Sequence, residues 1–191
     1  MRPPGRAVRL LRGLLAGLWF VFPAALVTAD DGRDEIAVRV GLRGEIVDVS
    51  AELIISASRQ EVWDVLTDFE NLPRFVSNIA SSRILSRQGN TVRVLQTGRT
   101  ALGPLTFDFQ SEREIVLSPV DGFESRMIRG NLRRYRGTTR LETSGDRTRV
   151  VYRAEAVPDS FLPISLGMSL VESETREHYA EIRNEVMRRK R

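Results

Sequence analysis

The chain of 191 residues contains no cysteine and a single histidine, His178. Without cysteine the fold has no disulfide, and thiol catalysis and thiolate metal sites are excluded. One histidine excludes a metal cluster built from several histidines, and a Ser-His-Asp triad would have to use His178 itself. No cofactor and no metal are therefore implied, and most nucleophilic and metal-dependent chemistries are disfavoured.

A surplus of positive charge is also absent from most of the chain, although its net charge is +4. The first twelve residues hold four arginines and no acid, and the remaining 25 basic residues equal the 25 acidic ones. A protein that binds the phosphate backbone is expected to keep a basic excess in its folded part. We therefore do not expect nucleic acid as a partner.

Only the N-terminus holds a long apolar run. A basic start precedes GLLAGLWFVF at 13–22, and the small residues of VTA follow at 27–29. This pattern is typical of a secretory signal peptide over 1–29, cleaved after Ala29, and it predicts an exported protein, periplasmic in a Gram-negative source. The alternative is an uncleaved membrane anchor, because the 17 residues from 13 to 29 reach the lower limit of a membrane span.

Two alternating patterns follow the predicted signal. Apolar residues at 36, 38 and 40 lie in an N-terminal extension, 30–45, which can supply an extra strand before a turn at Gly41 and Gly44. From Val47 to Ile55 every second residue is apolar, which is the period of a half-buried strand. The predicted main domain, 46–191, begins with this strand.

Helical signals surround a long region of strands. Ser58 and Glu61 match a capping box, which predicts a helix start, and Pro73 predicts a bend into a second short helix. From 79 to 157, strand-like runs and short turns predict a six-strand antiparallel meander, since parallel neighbours need long crossovers. The three- and four-residue spacing of apolar side chains from Ile164 onward predicts a long amphipathic helix.

Three short motifs lie within this order of elements: EVWDVLTDFENLPRF at 61–75, SSRIL at 81–85 and GTTRL at 137–141. On these motifs the chain resembles the START-like (SRPBCC) superfamily, specifically its polyketide cyclase/dehydrase and coenzyme Q-binding branch. The resemblance implies an α+β helix-grip fold, in which a curved antiparallel sheet of about seven strands wraps the C-terminal helix. It also implies a cavity between sheet and helix.

That cavity would hold a small hydrophobic ligand, lipid-like or quinone-like. The leading hypothesis is a binding or carrier protein, and the alternative is a cyclase/dehydratase-type enzyme acting on a hydrophobic substrate. Candidate ligand-binding residues are those expected on the concave sheet face or on the long helix: Leu105, Phe107, Phe109, Phe123, Met127, Tyr135, Tyr152, Met168 and Val171. For the apolar ones the competing interpretation is ordinary core packing. No catalytic residue is assigned, although either tyrosine can donate a proton to a ligand carbonyl.

Five arginines lie in the segment 129–140. Consecutive Arg133 and Arg134 must point to opposite faces of a strand, so one of them can look inward and would then need an anionic partner such as Glu112 or Glu114. The alternative is a solvated face on which these arginines pair with glutamates. His178 is expected on a helix face with no catalytic task. The basic C-terminus can transiently contact anionic lipid head groups, and no oligomeric state is predicted.

Overall fold

The computed structural model describes residues 35–102, 105–159 and 164–191, without the side chains of residues 102, 105 and 164–166. The predicted signal peptide and its cleavage point lie outside this part of the chain, so export stays a prediction. All described residues belong to one compact unit, Gly32–Arg191. None of the helices described here is both long and apolar enough to cross a membrane.

The elements follow the predicted order of strand, helices, meander and long helix. Along the chain they are β1 Ala37–Arg43, β2 Ile46–Ile55, α1 Arg59–Leu66, a 3-10 helix Phe69–Arg74, β3 Ile79–Gln88, β4 Thr91–Leu102, β5 Leu105–Ser118, β6 Gly122–Gly130, β7 Leu132–Ser144, β8 Arg147–Pro158 and α2 Ile164–Arg189. The second short helix is thus a 3-10 helix, with Pro73 inside it.

The strands form one open antiparallel sheet in the order β1-β2-β8-β7-β6-β5-β4-β3. This arrangement, with α2 following the last strand, confirms the predicted α+β helix-grip fold. The described strands number eight rather than about seven, because β1 in the N-terminal extension pairs with β2 from Ala37 to Arg43. Gly41, expected at a turn, lies inside β1 opposite Asp48, and the turn is at Gly44, whose φ of +64° favours glycine.

The capping box is confirmed at the start of α1. The Ser58 hydroxyl accepts a hydrogen bond from the backbone N–H of Glu61 at 3.3 Å, and the Glu61 carboxylate accepts one from the Ser58 N–H at 2.7 Å. Two backbone donors that a helix start leaves unpaired are thereby satisfied. The helix then buries Val62, Val65 and Leu66 against the sheet and α2.

The inner face of the sheet is apolar at one set of positions and polar at another. Side chains that are almost completely buried come from β2, β4, β5, β8 and α2: Ile55, Val92, Val94, Ile115, Val150, Ile182 and Val186. Because residues two apart on a strand share a face, Gln96 follows Val92 and Val94 on that face, Arg113 precedes Ile115, and Tyr152 follows Val150. These polar side chains mark where the packed core gives way to a cavity.

Candidate functional site

A cavity of about 230 Å³ lies between the inner face of the sheet and α2. Strands β3 to β8, the two short helices and α2 all contribute to its wall. Seven lining residues are apolar: Leu66, Phe69, Leu72, Ile79, Ile115, Phe123 and Ile182. The others are polar: Asn78, Gln96, Arg113, Ser125, Tyr135, Thr139, Tyr152, Glu174, Thr175, His178 and Tyr179. The expectation of an apolar-lined tunnel is therefore not met, since more than half of these residues carry polar side chains.

Three of the sequence-predicted residues, Phe123, Tyr135 and Tyr152, lie together in this wall. The remaining candidates with described side chains lie elsewhere and are half-buried: Phe107, Phe109, Met127, Met168 and Val171. The ring of Phe109 packs over Gly98 at the core edge, and the Met127 sulfur lies 3.8 Å from the Ser111 hydroxyl. The Leu105 side chain lies outside the described residues.

Arg113 is the charged side chain that β5 sends into the cavity. Its Nη2 donates to the Oε1 of Gln96, while its buried Nε has no hydrogen-bond partner. Gln96 is only 3% exposed, and its Nε2 donates to the Ser82 hydroxyl at 3.1 Å, which fixes the amide orientation. Within the described chain no carboxylate approaches the Arg113 guanidinium to 4 Å, so this inward cation has no counter-charge there.

Two tyrosine hydroxyls meet beside this cation. The hydroxyl oxygens of Tyr135 and Tyr152 lie 3.2 Å apart, and the Ser125 hydroxyl lies 3.4 Å from that of Tyr135. Burial, followed by the neighbouring tyrosines, raises the pKa of Tyr152 well above its ordinary value, and burial likewise raises the pKa of Tyr179. These two phenols therefore stay protonated at neutral pH, so they serve as hydrogen-bond donors.

His178 lies in the cavity wall rather than on an outer helix face. Its ring edge faces the ring of Tyr179, with centroids 5.3 Å apart. Burial, and after it the charge of Arg113, lowers the pKa of His178 to about 4. At pH 7 the imidazole is therefore neutral and can accept a proton.

Glu174 is the carboxylate among the described lining residues, and both of its oxygens are used. One accepts from the Asn78 amide at 2.5 Å, and the other accepts from the Thr100 hydroxyl. These bonds tie α2 to β4 and to the segment that follows the 3-10 helix. Glu174 therefore braces the cavity and does not pair with Arg113.

The inward arginine comes from β5 and not from the segment 129–140, where the structure shows the alternative, a solvated face paired with glutamate. Arg133 and Arg134 are both exposed, and Arg133 pairs with Glu45 at 3.2 Å. The register shift between Leu132 and Arg134 breaks the alternation that would have turned one of them inward. Glu114, expected as a partner of these residues, pairs instead with Arg126 at 2.7 Å.

A sequence signal for Arg113 did exist, since it occupies the same phase of β5 as Ile115 and Leu117. His178 could have been found from its spacing of four to Glu174 and to Ile182 on α2. No group of three or more metal-ligating residues occurs in the described part of the chain. The arrangement can bind and polarise a carbonyl or anionic oxygen, with a neutral imidazole close by.

Comparison with known proteins gives one family match. A family described as polyketide cyclase / dehydrase and lipid transport matches residues 55–180. A candidate polyketide cyclase of Streptomyces halstedii is 48% identical over 42 residues, which are 22% of this chain. The match spans only 38% of that protein's length, well under two thirds.

Solved structures that share the fold include an aromatase/cyclase and a lipid transfer protein. The Zhui aromatase/cyclase from Streptomyces sp. R1128 has a TM-score of 0.65 at 16% identity, over 76% of this chain and 96% of that one. The STAR-related lipid transfer protein from Xanthomonas axonopodis has a TM-score of 0.66 at 18% identity, over 81% of this chain and 94% of that fragment. At these identities the likeness concerns the fold alone.

Proposed function

Because the chain belongs to the polyketide cyclase/dehydrase and lipid-transport family of the START-like superfamily, we propose that its cavity binds and carries a small hydrophobic molecule with an oxygen-bearing end. The solved structures that share the fold of this chain include a lipid transfer protein and an aromatase/cyclase. The single observation that carries the proposal is the unpartnered, buried Nε of Arg113.

A buried N–H donor of a guanidinium is costly unless a hydrogen bond satisfies it. Gln96 satisfies one of its donors, and the Nε–H remains. A carbonyl or anionic oxygen of a ligand would take that donor and could also accept from the Tyr152 hydroxyl. The apolar part of the ligand would then lie against Phe69, Ile115 and Phe123.

Cavity size limits the ligand. Pockets for drug-sized molecules usually measure about 300–1,000 Å³, and this one measures about 230 Å³. A small ring system, or the oxygenated head of a larger molecule, fits that volume. A quinone-like head meets both requirements, since it is compact and carries carbonyl oxygens.

A second candidate function is a cyclase/dehydratase-type reaction in the same cavity. It is favoured by the combination of a cation, a tyrosine pair and a neutral His178. The Arg113 guanidinium and the tyrosine O–H groups would stabilise negative charge developing on a substrate ketone oxygen. His178 would take the proton from the neighbouring carbon and return it to a departing hydroxyl as water leaves.

Native purification followed by mass spectrometry of an organic extract tests ligand binding. We expect one oxygenated compound to co-purify with the wild type and to be lost from Arg113→Gln. Arg93→Gln is the matched control, because Arg93 lies on the opposite face of β4 from Gln96 and its nearest carboxylate, Glu112, is 3.9 Å away. Equal recovery from both variants would contradict the role of Arg113, and empty wild-type protein that takes up no added quinone would contradict binding.

Incubating the recovered compound with fresh protein separates the two functions. A carrier returns the compound with unchanged mass and retention time, whereas a dehydratase yields a product lighter by one water. His178→Gln should abolish that conversion and leave binding intact. Conversion at the wild-type rate in His178→Gln would contradict the proposed base.

We also propose that the chain acts after export, as its N-terminal pattern predicts. Fractionation of the producing cells and N-terminal sequencing test this. A mature N-terminus at Asp30 is expected, and an uncleaved chain in the membrane fraction would favour the anchor instead.

A further inference from the structure

A broad concavity lies on the other side of the sheet, away from α2. It measures about 710 Å³ and crosses β1, β2, β8, β7, β6 and β5. We call it the outer groove and define it by six polar residues that line it: Arg39, Ser50, Arg126, Arg136, Thr138 and Arg153. It shares Ser125 with the lining of the internal cavity but opens on the opposite face.

Strand register places three arginines around two small hydroxyl side chains. Ser50 pairs with Arg39 on one side and with Arg153 on the other. Arg153 in turn pairs with Thr138, and Arg136 stands two residues before Thr138 on the same face of β7. Serine and threonine have short side chains, so they form the floor of the groove, and the longer arginine side chains surround them.

These three arginines lack the carboxylate partners that other arginines of this face have. Arg43 pairs with Asp48 and Glu155, both at 2.9 Å, and Arg126 pairs with Glu114 at 2.7 Å. In the described chain no carboxylate lies within 4 Å of the guanidinium groups of Arg39, Arg136 or Arg153. The hydrogen bond from Arg149 at 2.7 Å is the main cause that lowers the pKa of Glu52, and the charges of Arg39 and Arg153 contribute less.

Two like charges also face each other in the groove. Arg136 lies directly opposite Arg126 in the β6–β7 register. Like charges directly opposite in an antiparallel pair are destabilising. Glu155, opposite Arg136 on its other side, already pairs with Arg43. Arg126 is already paired with Glu114, so Arg136 is the member of this pair that lacks a carboxylate partner among the described residues.

We propose that the outer groove binds a small soluble molecule carrying at least two phosphate groups. Arginine forks match phosphate oxygens in bidentate geometry, and the Ser50 and Thr138 hydroxyls add donors between them. A bound phosphate would supply the counter-charge that Arg39, Arg136 and Arg153 lack, while the groove carboxylates Asp48, Glu155 and Glu114 stay paired with Arg43 and Arg126. A concave surface fits a compact polyanion better than the flat face of a membrane, which is why we commit to a soluble ligand.

Calorimetric titration of the purified chain with inorganic pyrophosphate, at fixed ionic strength, tests the proposal. Each of Arg136→Gln and Arg153→Gln should weaken binding about fivefold, as expected for an exposed ion pair. Arg140→Gln is the matched control, because Arg140 lies on the same strand and face but outside the groove, and it should leave binding unchanged. Glu124→Gln should tighten binding, since Glu124 is the groove carboxylate without an arginine within 4 Å.

Thermal unfolding without phosphate provides a second, independent readout. Arg136→Gln should raise Tm slightly at low salt by removing the part of the Arg126–Arg136 repulsion that the Glu114–Arg126 ion pair leaves, whereas Arg140→Gln should not. Arg113→Gln should bind pyrophosphate like the wild type, which keeps this site separate from the proposed function of the internal cavity.

Three results would overturn the proposal. The first is the absence of heat at millimolar pyrophosphate, and the second is an equal loss of binding in Arg136→Gln and Arg140→Gln. The third is sedimentation with phosphatidylglycerol vesicles that requires Arg136 and Arg153 while pyrophosphate does not bind. That outcome would assign the groove to a lipid surface instead.

Discussion

The hydroxyl oxygen of Tyr135 lies 2.5 Å from the point where a Cβ atom would stand at Gly137, two residues further along β7. Both positions face the cavity, because residues two apart on a strand share a face. Gly137 therefore leaves the space in which the Tyr135 hydroxyl meets that of Tyr152.

Gly137→Ala should push the Tyr135 hydroxyl away from Tyr152. We expect the free energy of unfolding in urea to fall by about 1–3 kcal/mol, as overpacking usually costs, and ligand uptake to fall with it. Gly41→Ala is the control, since no heavy atom lies within 4 Å of a Cβ added there. If the two variants were equally stable, Tyr135 would be able to move aside without cost.

The single histidine allows a direct measurement of its pKa. Burial, and then Arg113, hold the pKa of His178 near 4 instead of 6.5, so the ring resonances in a proton NMR titration should show a midpoint near pH 4. Arg113→Gln should raise that midpoint. A midpoint near 6.5 in the wild type would mean that water reaches the ring as freely as in an unfolded chain.

The same shift makes stability depend on pH. Between pH 6.5 and about 4 the unfolded chain binds a proton at His178 that the folded chain does not. The contribution of neutral His178 is therefore fully present above pH 6.5 and is lost as the pH falls toward 4, by about 2–3 kcal/mol. His178→Gln should remove this component from urea midpoints measured across the range. Parallel curves for both proteins would contradict it.

Glu185 makes the stability of the fold depend on pH in a lower range than His178 does. Hydrogen bonds from Arg188 and Arg189, both at 2.7 Å, lower the pKa of this carboxyl from 4.5 to about 2. The folded state thus gains stability that is present above pH 4.5 and lost as the pH falls toward 2. Because Arg188 is 70% exposed and screened by solvent, we expect a contribution of about 1–2 kcal/mol.

Comparison of Glu185→Gln with Glu172→Gln measures that contribution. Glu172 forms an exposed i,i+4 pair with Arg176 on the same helix. The stability difference between wild type and Glu185→Gln should shrink as the pH falls from 4.5 to 2, while Glu172→Gln stays close to the wild type throughout. A constant difference for Glu185→Gln would assign its effect to packing rather than charge.

We expect Arg113 to lower the stability of the fold while it enables ligand binding. Replacing a buried charged group and its partner by apolar side chains is often neutral or stabilising by about 1–4 kcal/mol. We expect Arg113→Met/Gln96→Leu to be more stable than the wild type by about 1–2 kcal/mol and to bind no ligand. Arg113→Met alone should gain less, because it leaves the Gln96 carbonyl unpaired. A double variant that retains ligand would contradict the assignment.

Much of the fold could be predicted because its signals are local. The Ser58–Glu61 cap, the alternation from Val47 to Ile55 and the spacing in α2 each depend on residues a few positions apart. The eighth strand depends on pairing between β1 and β2, for which the extension at 30–45 gave only a weak pattern. Gly41 was placed in a turn because glycine is common there, and its position inside β1 is set by pairing with Asp48.

The cavity was harder to predict because its wall combines side chains from distant elements. The resemblance favours apolar candidates. Alternation along β5 points to Phe107 and Phe109, and Met168 is a candidate because methionine adapts to irregular ligands. The alternation along a strand shows which residues lie on the inner face of the sheet. It does not show which of them pack in the core and which line the open cavity. Arg113 and His178 show the opposite. Each is a polar residue at a position where the periodicity of its strand or helix predicts an apolar one, and each lies in the cavity wall.

The mostly polar wall of the internal cavity has a consequence for the calorimetry of binding. Burial of apolar surface gives a large negative change in heat capacity, whereas burial of polar surface has the opposite sign. Entry of a hydrophobic ligand with an oxygen-bearing end between Arg113, Tyr152 and Phe123 should therefore give a smaller negative heat-capacity change than entry into an apolar cavity of the same size, because polar burial offsets part of the apolar contribution. Selection among related ligands would then follow the position of their oxygen atoms, and lengthening an apolar tail would add little affinity.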